Sequence, residues 1–317
     1  MMPHIEEPLI SVVLCTYNRR QLMAAALRSV CEQTLPSSQY EVIVVDNNST
    51  DGTQQHIVAV SLQHEHVRYC FEARQGLSHG RNTGFHAARG SYVAYIDDDC
   101  TVPKEWLSIA QDVIARVAPA LFGGPYRPFY NSPKPDWYRD HYGSYDCGPT
   151  ARPLTCDEYL TGTNLFVKRL LLQQVEGFRT DIGMTGKKLA YGEEVAMQRR
   201  IRREYPEELV YYDPRLGVSH LVRQEKMTLL WSATHMFVIG RDWNLATNDT
   251  ARKPSGVCYA MLRGCRAISR LIKRITWGIV VRDRSRYPFV GNYLYEVAFL
   301  ELQTMGIAYG QLARRST

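Results

Sequence analysis

Four short apolar runs, each followed by a stretch with helical spacing, constrain this chain's fold more than any other feature. The runs fall at 9–15, 41–45, 67–71 and 92–96. Between them, 19–32, 53–62 and 78–89 carry apolar residues at helical intervals, as in Leu22, Ala25, Ala26, Leu27 and Val30. Continuously apolar strands alternating with helices predict a parallel sheet covered on both faces. Ligands of such sheets bind beyond the carboxyl ends of the strands, and Asp46 and Asp97 both fall at such ends.

The alternation breaks at 123–160, a Pro-, Gly- and Tyr-rich stretch long enough to suggest a functional loop. A short strand is expected at 164–167, with helices at 168–175 and 193–204 and a mostly helical remainder from 225. The glycines at 76, 80 and 84 are spaced by four, which marks close packing of one helix face.

Composition narrows the class. The chain has 317 residues, 45% of them hydrophobic and 22% charged, enough for a full core and too apolar for disorder. Its eight cysteines form no CxxC pair and read as reduced thiols of a cytosolic protein. MMPHIEEPLI lacks the layout of a signal peptide, and no apolar run reaches the ~18 residues that span a bilayer. A soluble or peripheral protein is expected, cytoplasmic or on the inner face of the plasma membrane.

The net charge of +6 is uneven: from Ala251 onward stand twelve Lys/Arg against three Asp/Glu, leaving 26 against 29 before it. No base-reading motif accompanies the basic tail, so nucleic acid is not an expected partner. Within it, Leu262, Cys265, Ile268, Ile272 and Ile275 share one helical face, and Arg263, Arg266, Arg270, Lys273 and Arg274 the other. Such a helix lies in an anionic membrane surface or packs on the core with its basic face solvated. Both readings stay open at this stage.

The stretch YIDDDC carries the chemistry. Two carboxylates at i and i+2 past a buried strand can both turn toward a crevice. Three adjacent aspartates repel unless a cation or hydrogen-bond donors neutralise them. Mg²⁺ or Mn²⁺ suits such hard oxygen ligands, and a helix cap ahead of Glu105 would need only one of them. GxGxxG after the first strand and GxxxxGK[ST] anywhere are both absent, which argues against dinucleotide and P-loop sites.

Segments in a fixed order surround the aspartates: VVLCTYNR, VVDNNSTDGT, GLSHGRNTGF, then GTNLFVKR, EGFRTDIG, YGEEVAMQRRI and VSHL. Together they resemble the inverting family 2 glycosyltransferases of the GT-A fold. The resemblance runs over about 9–245. It implies an α/β, Rossmann-like, mostly parallel central sheet flanked by helices, with a helical C-terminal segment. The catalytic domain is then expected over 1–245, with a nucleotide-binding half to about 100 and an acceptor half beyond. The segment 246–317 stands as a basic helical addition.

The resemblance also implies roles. Thr16 and Tyr17 would flank the base of a nucleotide sugar, with Asp46 and Asn47 beside it, and UDP, dTDP and GDP all remain candidate carriers. Arg81 and Asn82 match a pair that faces the nucleotide, and a guanidinium suits a diphosphate. Asp99 would bind the metal directly, Asp97 the metal or ribose, and His220 would complete the coordination. Asp98 belongs to the same donor-binding run. Glu194 matches the position of the general base, but the family's usual Glu-Asp is Glu193-Glu194 here, so either glutamate could serve. Gly162, Thr163 and Asn164 match the segment beneath donor sugar and acceptor. Trp137 and neighbouring tyrosines either stack on a glycan or lipid-linked acceptor or anchor their loop. A sugar nucleotidyltransferase and a catalytically inactive relative are the alternative readings.

Overall fold

The computed structural model describes residues 7–186, 188–247 and 256–313. Residues 1–6 of the N-terminal stretch, and Arg252, Lys253, Arg314 and Arg315 of the basic tail, lie outside the described residues. The chain divides into two compact units.

The first unit comprises 1–128, 144–180 and 197–221. Its strands are β1 (Ile10–Thr16), β2 (Tyr40–Asp46), β3 (Val67–Phe71), β4 (Tyr92–Asp97), β5 (Cys100–Thr101), β6 (Leu121–Gly123), β7 (Tyr126–Phe129), β8 (Arg152–Pro153), β9 (Asn164–Lys168), β10 (Val210–Tyr212) and β11 (Val218–Leu221). Eight form one sheet in the order β3-β2-β1-β4-β9-β6-β10-β8, and β5-β11-β7 form a small second sheet. The first four strands run parallel, as the apolar runs predict, while β9 runs antiparallel to both β4 and β6.

Side chains alternate across these strands with period two. Ile10, Val12 and Leu14 join Val42, Val44, Ala94 and Ile96 on one face, packed with α1 (Arg20–Cys31), α2 (Thr53–Ser61) and α4 (Trp106–Val117). Val13, Ile43, Val45, Val93 and Tyr95 face the other way, toward α3 (Leu77–Ala87), α5 (Arg169–Gln174) and the later turns of α6 (Glu193–Glu204). Both faces are covered, which is why the strands are apolar throughout.

The spaced glycines of α3 do what their spacing suggests. A Cβ on Gly84 would lie 2.3 Å from Val13 Cγ1, and one on Gly80 would lie 3.2 Å from Cys15 Sγ. Val13 is β-branched and fully enclosed, so it cannot yield. Gly84→Ala is expected to cost about 1–3 kcal/mol of overpacking. That exceeds the ~1 kcal/mol alanine gains over glycine in a helix. A urea titration should show a lower midpoint with an unchanged slope.

The second unit comprises 129–143, 181–196 and 222–317. It holds α7 (Leu229–Thr247), α8 (Gly256–Val281), the short α9 (Val290–Tyr293) and α10 (Leu300–Ala313). The helices α7 and α10 meet at contact distance through glycines: a Cβ on Gly240 would strike the Gln303 carbonyl and one on Gly306 the Phe237 carbonyl. Asn244 Nδ2 also donates to the Ile307 carbonyl at 2.9 Å. The boundary was expected at 245. That point falls inside α7, whose partners are the C-terminal helices, so the division comes after Leu221 and the second unit also gathers two earlier segments.

The helix α8 does not pack through its apolar stripe. Its buried residues are Ala260, Ala267 and Gly278, a seam of small side chains. Two of its basic residues turn inward: Arg270 Nε donates to Glu301 Oε2 at 2.9 Å, and Arg274 Nη1 to the Val297 carbonyl at 2.6 Å. Leu262, Ile268, Ile272, Trp277 and Val280 are exposed, Trp277 to 66%. The apolar stripe is therefore not the packing surface. Among the described residues no helix is long and apolar enough to cross a membrane.

Candidate active site

In the first unit, strand register sets a row of polar residues at the carboxyl ends. Thr16 of β1 pairs with Asp46 of β2, and Cys15 pairs with Asp97 of β4. Chain order runs β1-β2-β3 outward on one side and resumes with β4 on the other. This is a topological switch point, where α/β sheets open a ligand crevice.

The three aspartates at the end of β4 have three environments. Asp98 is buried, accepting from Thr16 Oγ1 at 2.8 Å and from Arg19 Nη1 at 2.9 Å. Burial pushes its carboxyl up to about 6, with Arg19 pulling the other way. Its two oxygens are engaged by the protein, so it fixes the turn. Asp97 is about 30% exposed, accepting from Thr163 Oγ1 at 2.8 Å and facing Arg81 Nη2 at 3.4 Å. Asp99 is buried, with Oδ1 3.4 Å from His220 Nε2.

The approach of His220 follows from backbone pairing. In the small sheet β5 lies antiparallel to β11, with His220 opposite Cys100 and Ser219 opposite Thr101. The Leu221 amide donates to the Asp99 carbonyl at 2.8 Å. A histidine 121 positions away is thereby fixed beside the aspartate run, with Tyr126 edge-on to its ring at 5.2 Å. Ligand atoms of Asp99, Cys100 and His220 all lie within 4.8 Å of one another. A carboxylate oxygen and an imidazole nitrogen at this separation fit a divalent cation of the Mn²⁺ class. The proximity of Cys100 was not foreseen from sequence, where it read only as one of eight reduced thiols.

Arg81 on α3 is buried, its guanidinium 5.4 Å from the Phe178 ring centroid. A Cβ on Gly162 would come 2.3 Å from Arg81 Nη2, so that glycine makes room for the guanidinium. Asn82 instead clasps the backbone of Phe178: Nδ2 donates to its carbonyl and Oδ1 accepts from its amide, both at 2.8 Å. Asn47 is likewise committed. Its Nδ2 donates to the Arg74 carbonyl at 2.7 Å and its Oδ1 accepts from the Gly76 amide at 2.8 Å. Asp46 accepts from the Ser49 amide at 2.8 Å and Tyr69 hydroxyl at 3.3 Å. Thr16 is buried through its bond to Asp98, and Tyr17 beside it is half-buried.

Asn164 is placed differently from Thr163. Asn164 is fully enclosed: Trp106 Nε1 donates to its Oδ1 at 3.1 Å, and its Nδ2 donates to the Leu216 carbonyl at 2.5 Å. Its side chain ties β9 to the core. Thr163, one residue earlier, points to Asp97 instead.

In the second unit, Glu193 and Glu194 open α6, where the helix dipole favours negative charge. Glu193 is buried and Glu194 half-buried. The preceding segment is held by α7: the Tyr191 amide donates to Asp242 Oδ2 at 3.0 Å, and the Tyr191 hydroxyl meets His235 Nδ1 at 2.7 Å. Burial lowers the His235 imidazole to about 4, so it is neutral at pH 7. Trp137 packs among Tyr138, Tyr142 and Tyr295, and its carbonyl accepts from Asn292 Nδ2. In this structure it anchors its loop.

Comparison with known proteins bears on the family and the fold. The sequence profile of "Glycosyl transferase family 2" matches residues 11–186. Glycosyltransferase AglE of Haloferax volcanii is 30% identical over 172 residues, 54% of this chain and 56% of that protein. The chain thus spans little more than half of that relative. The glucosyl-dolichyl phosphate glucuronosyltransferase of the same organism is 28% identical over 236 residues, covering 72% of this chain and 74% of the relative. Among solved structures, the mannosyltransferase PcManGT of Pyrobaculum calidifontis, in complex with GDP-Man and Mn²⁺, superposes with a TM-score of 0.67 at 18% identity. That likeness covers 98% of this chain and 88% of the other. With a profile matching more than half its length and the fold that the sheet order displays, the chain belongs to glycosyl transferase family 2 and has the GT-A fold.

Proposed function

We propose that this chain transfers a sugar, with inversion, from a nucleoside-diphosphate sugar to a hydroxyl of a glycan or lipid-linked acceptor. The observation that carries this reading is the meeting of Asp99 and His220 across the β5-β11 pairing, with Asp97 on the same turn. Asp99 and His220, with Asp97 beside them, would hold Mn²⁺ or Mg²⁺, which stabilises charge on the departing diphosphate. Arg81, always charged, supports the same oxygens or the ribose side through Asp97. Glu194 takes the proton of the attacking hydroxyl. Asn47, Asn82 and Asp98 act by positioning the loops that bear these groups. PcManGT, a GDP-Man and Mn²⁺ complex, supports the donor class and the metal. The family membership weighs against the nucleotidyltransferase alternative.

A thermal-shift screen tests the donor assignment. UDP, dTDP or GDP should raise the melting temperature with Mn²⁺ present and have little effect without it. Equal shifts with and without metal would refute the metal-dependent reading. Gly162→Ala provides a second check, because its Cβ displaces the Arg81 guanidinium. It should raise KM for the donor roughly tenfold, the scale of losing one charge-assisted contact, and initial-rate kinetics over donor concentration would measure it.

The exposed stripe of α8 bears on the acceptor. Leu262, Ile268, Ile272 and Trp277 with basic neighbours suit an anionic membrane interface, where a lipid-linked acceptor would reside. One of the relatives is named for a dolichyl phosphate substrate. The chain should cosediment with vesicles containing anionic lipid and not with neutral ones, and Trp277→Ala with Ile272→Ser should weaken this severalfold.

A further inference from the structure

A second cluster of metal-ligating side chains lies far from the aspartate run in the topology of the first unit. Cys31 is the last residue of α1, and His64 and His66 flank the turn between α2 and β3. The thiol sulfur and one nitrogen of each imidazole all lie within 4.8 Å of one another. Tyr40 starts β2 and Val67 starts β3, so the cluster sits at the amino ends of the strands. Asp97–Asp99 lie at the carboxyl end of β4, at the opposite end of the strands.

We infer that Cys31, His64 and His66 form a binding site for a borderline-soft divalent cation of the Zn²⁺ class. Four observations support it. First, the donor set of one sulfur and two imidazole nitrogens selects Zn²⁺ or Co²⁺ over Mg²⁺ and Mn²⁺. Second, the backbone fixes every ligand. The His64 amide donates to the Val60 carbonyl at 3.0 Å, the Val67 amide to the His64 carbonyl at 2.8 Å, and the Val42 amide to the His66 carbonyl at 2.8 Å. The Tyr40 hydroxyl donates to the Cys31 carbonyl at 3.3 Å, closing the helix end over the site.

Third, His66 Nε2 is buried without a hydrogen-bond partner. A buried polar atom left unpaired is costly, and a bound ion is one of the few things that satisfies it. Tyr40 packs edge-on to the His66 ring at 4.9 Å and His64 lies edge-on at 5.7 Å, which holds the ring without pairing that nitrogen. Fourth, the three ligands are only half-buried, which leaves a fourth tetrahedral position to water. Binding exchanges the thiol proton for the metal: one S–H bond breaks, one S–metal bond forms, and one proton leaves to solvent.

Such an ion would staple the end of α1 to the α2-β3 turn. Its role is structural, and it does not rest on the proposed transfer reaction. Titrating the full chain with Co²⁺ tests it by absorption. A tetrahedral site with one thiolate gives a sulfur-to-cobalt charge-transfer band that saturates and is displaced by Zn²⁺. The band should be lost in Cys31→Ser, reduced at least tenfold in apparent affinity in His64→Gln, and kept in Cys100→Ser. Zn²⁺ should raise the melting temperature of the wild type by more than that of His64→Gln. A wild type with no band would overturn the inference. So would a band that survives Cys31→Ser and disappears in Cys100→Ser, which would place the thiolate beside Asp99. Neither readout uses a nucleotide sugar, so failure here and failure of the transfer reading are separable.

Discussion

Replacing Asp99 with alanine is expected to lower kcat/KM with a nucleotide sugar by roughly a thousandfold or more. Several kcal/mol of charge stabilisation by a metal disappear with its ligand, and each 1.36 kcal/mol is about a factor of ten. The site geometry makes the loss specific to this position. Asp98 has its oxygens on Thr16 and Arg19, whereas Asp99 turns an oxygen toward His220. Asp99→Ala should also abolish the Mn²⁺-dependent part of any nucleotide-induced thermal shift. Asp98→Ala acts differently: it leaves the Arg19 guanidinium without its closest carboxylate and loosens the turn, so a fall in melting temperature should accompany its loss of activity. Measuring both variants for kcat/KM and melting temperature separates metal ligation from turn formation.

Glu194→Gln is the second large effect. A positioned general base contributes about 10²–10⁴-fold, and the amide keeps the shape while it cannot accept a proton at neutral pH. The expected result is a fall of that size in kcat with donor affinity retained. Glu193→Gln is expected to reduce activity less and stability more, because Glu193 is the more buried of the two at the start of α6. If Glu193→Gln abolishes turnover and Glu194→Gln does not, the roles are reversed.

Much of the fold was legible because of one physical regularity. A strand covered on both faces must be apolar throughout, and β1 to β4 each announce themselves this way. Direction was less legible: 164–167 reads as a buried strand, but its antiparallel insertion between β4 and β6 depends on the path of the preceding loop. The two-residue strand β5 is too short to leave a pattern, yet its pairing with β11 brings His220 to Asp99. Only the family resemblance pointed to that histidine. Arg19, which holds Asp98, carries nothing in sequence that marks it for that role. Asn164 shows the limit from the other side. An amide next to an apolar strand gives no sign in sequence of whether it faces a crevice or the Trp106 indole. The grouping of the helices is hidden for a similar reason, since α7 is packed by α10, some fifty residues further on.

The central claim is tested most directly by turnover. The full chain is incubated with Mn²⁺, a panel of UDP-, dTDP- and GDP-sugars, and glycan and lipid-linked acceptors, and the released phosphates and the product anomer are identified. The account predicts nucleoside diphosphate from at least one donor, a product of inverted anomeric configuration, and loss of both in Asp99→Ala. Release of pyrophosphate, retention of configuration, or donor binding with no turnover across the panel would contradict it.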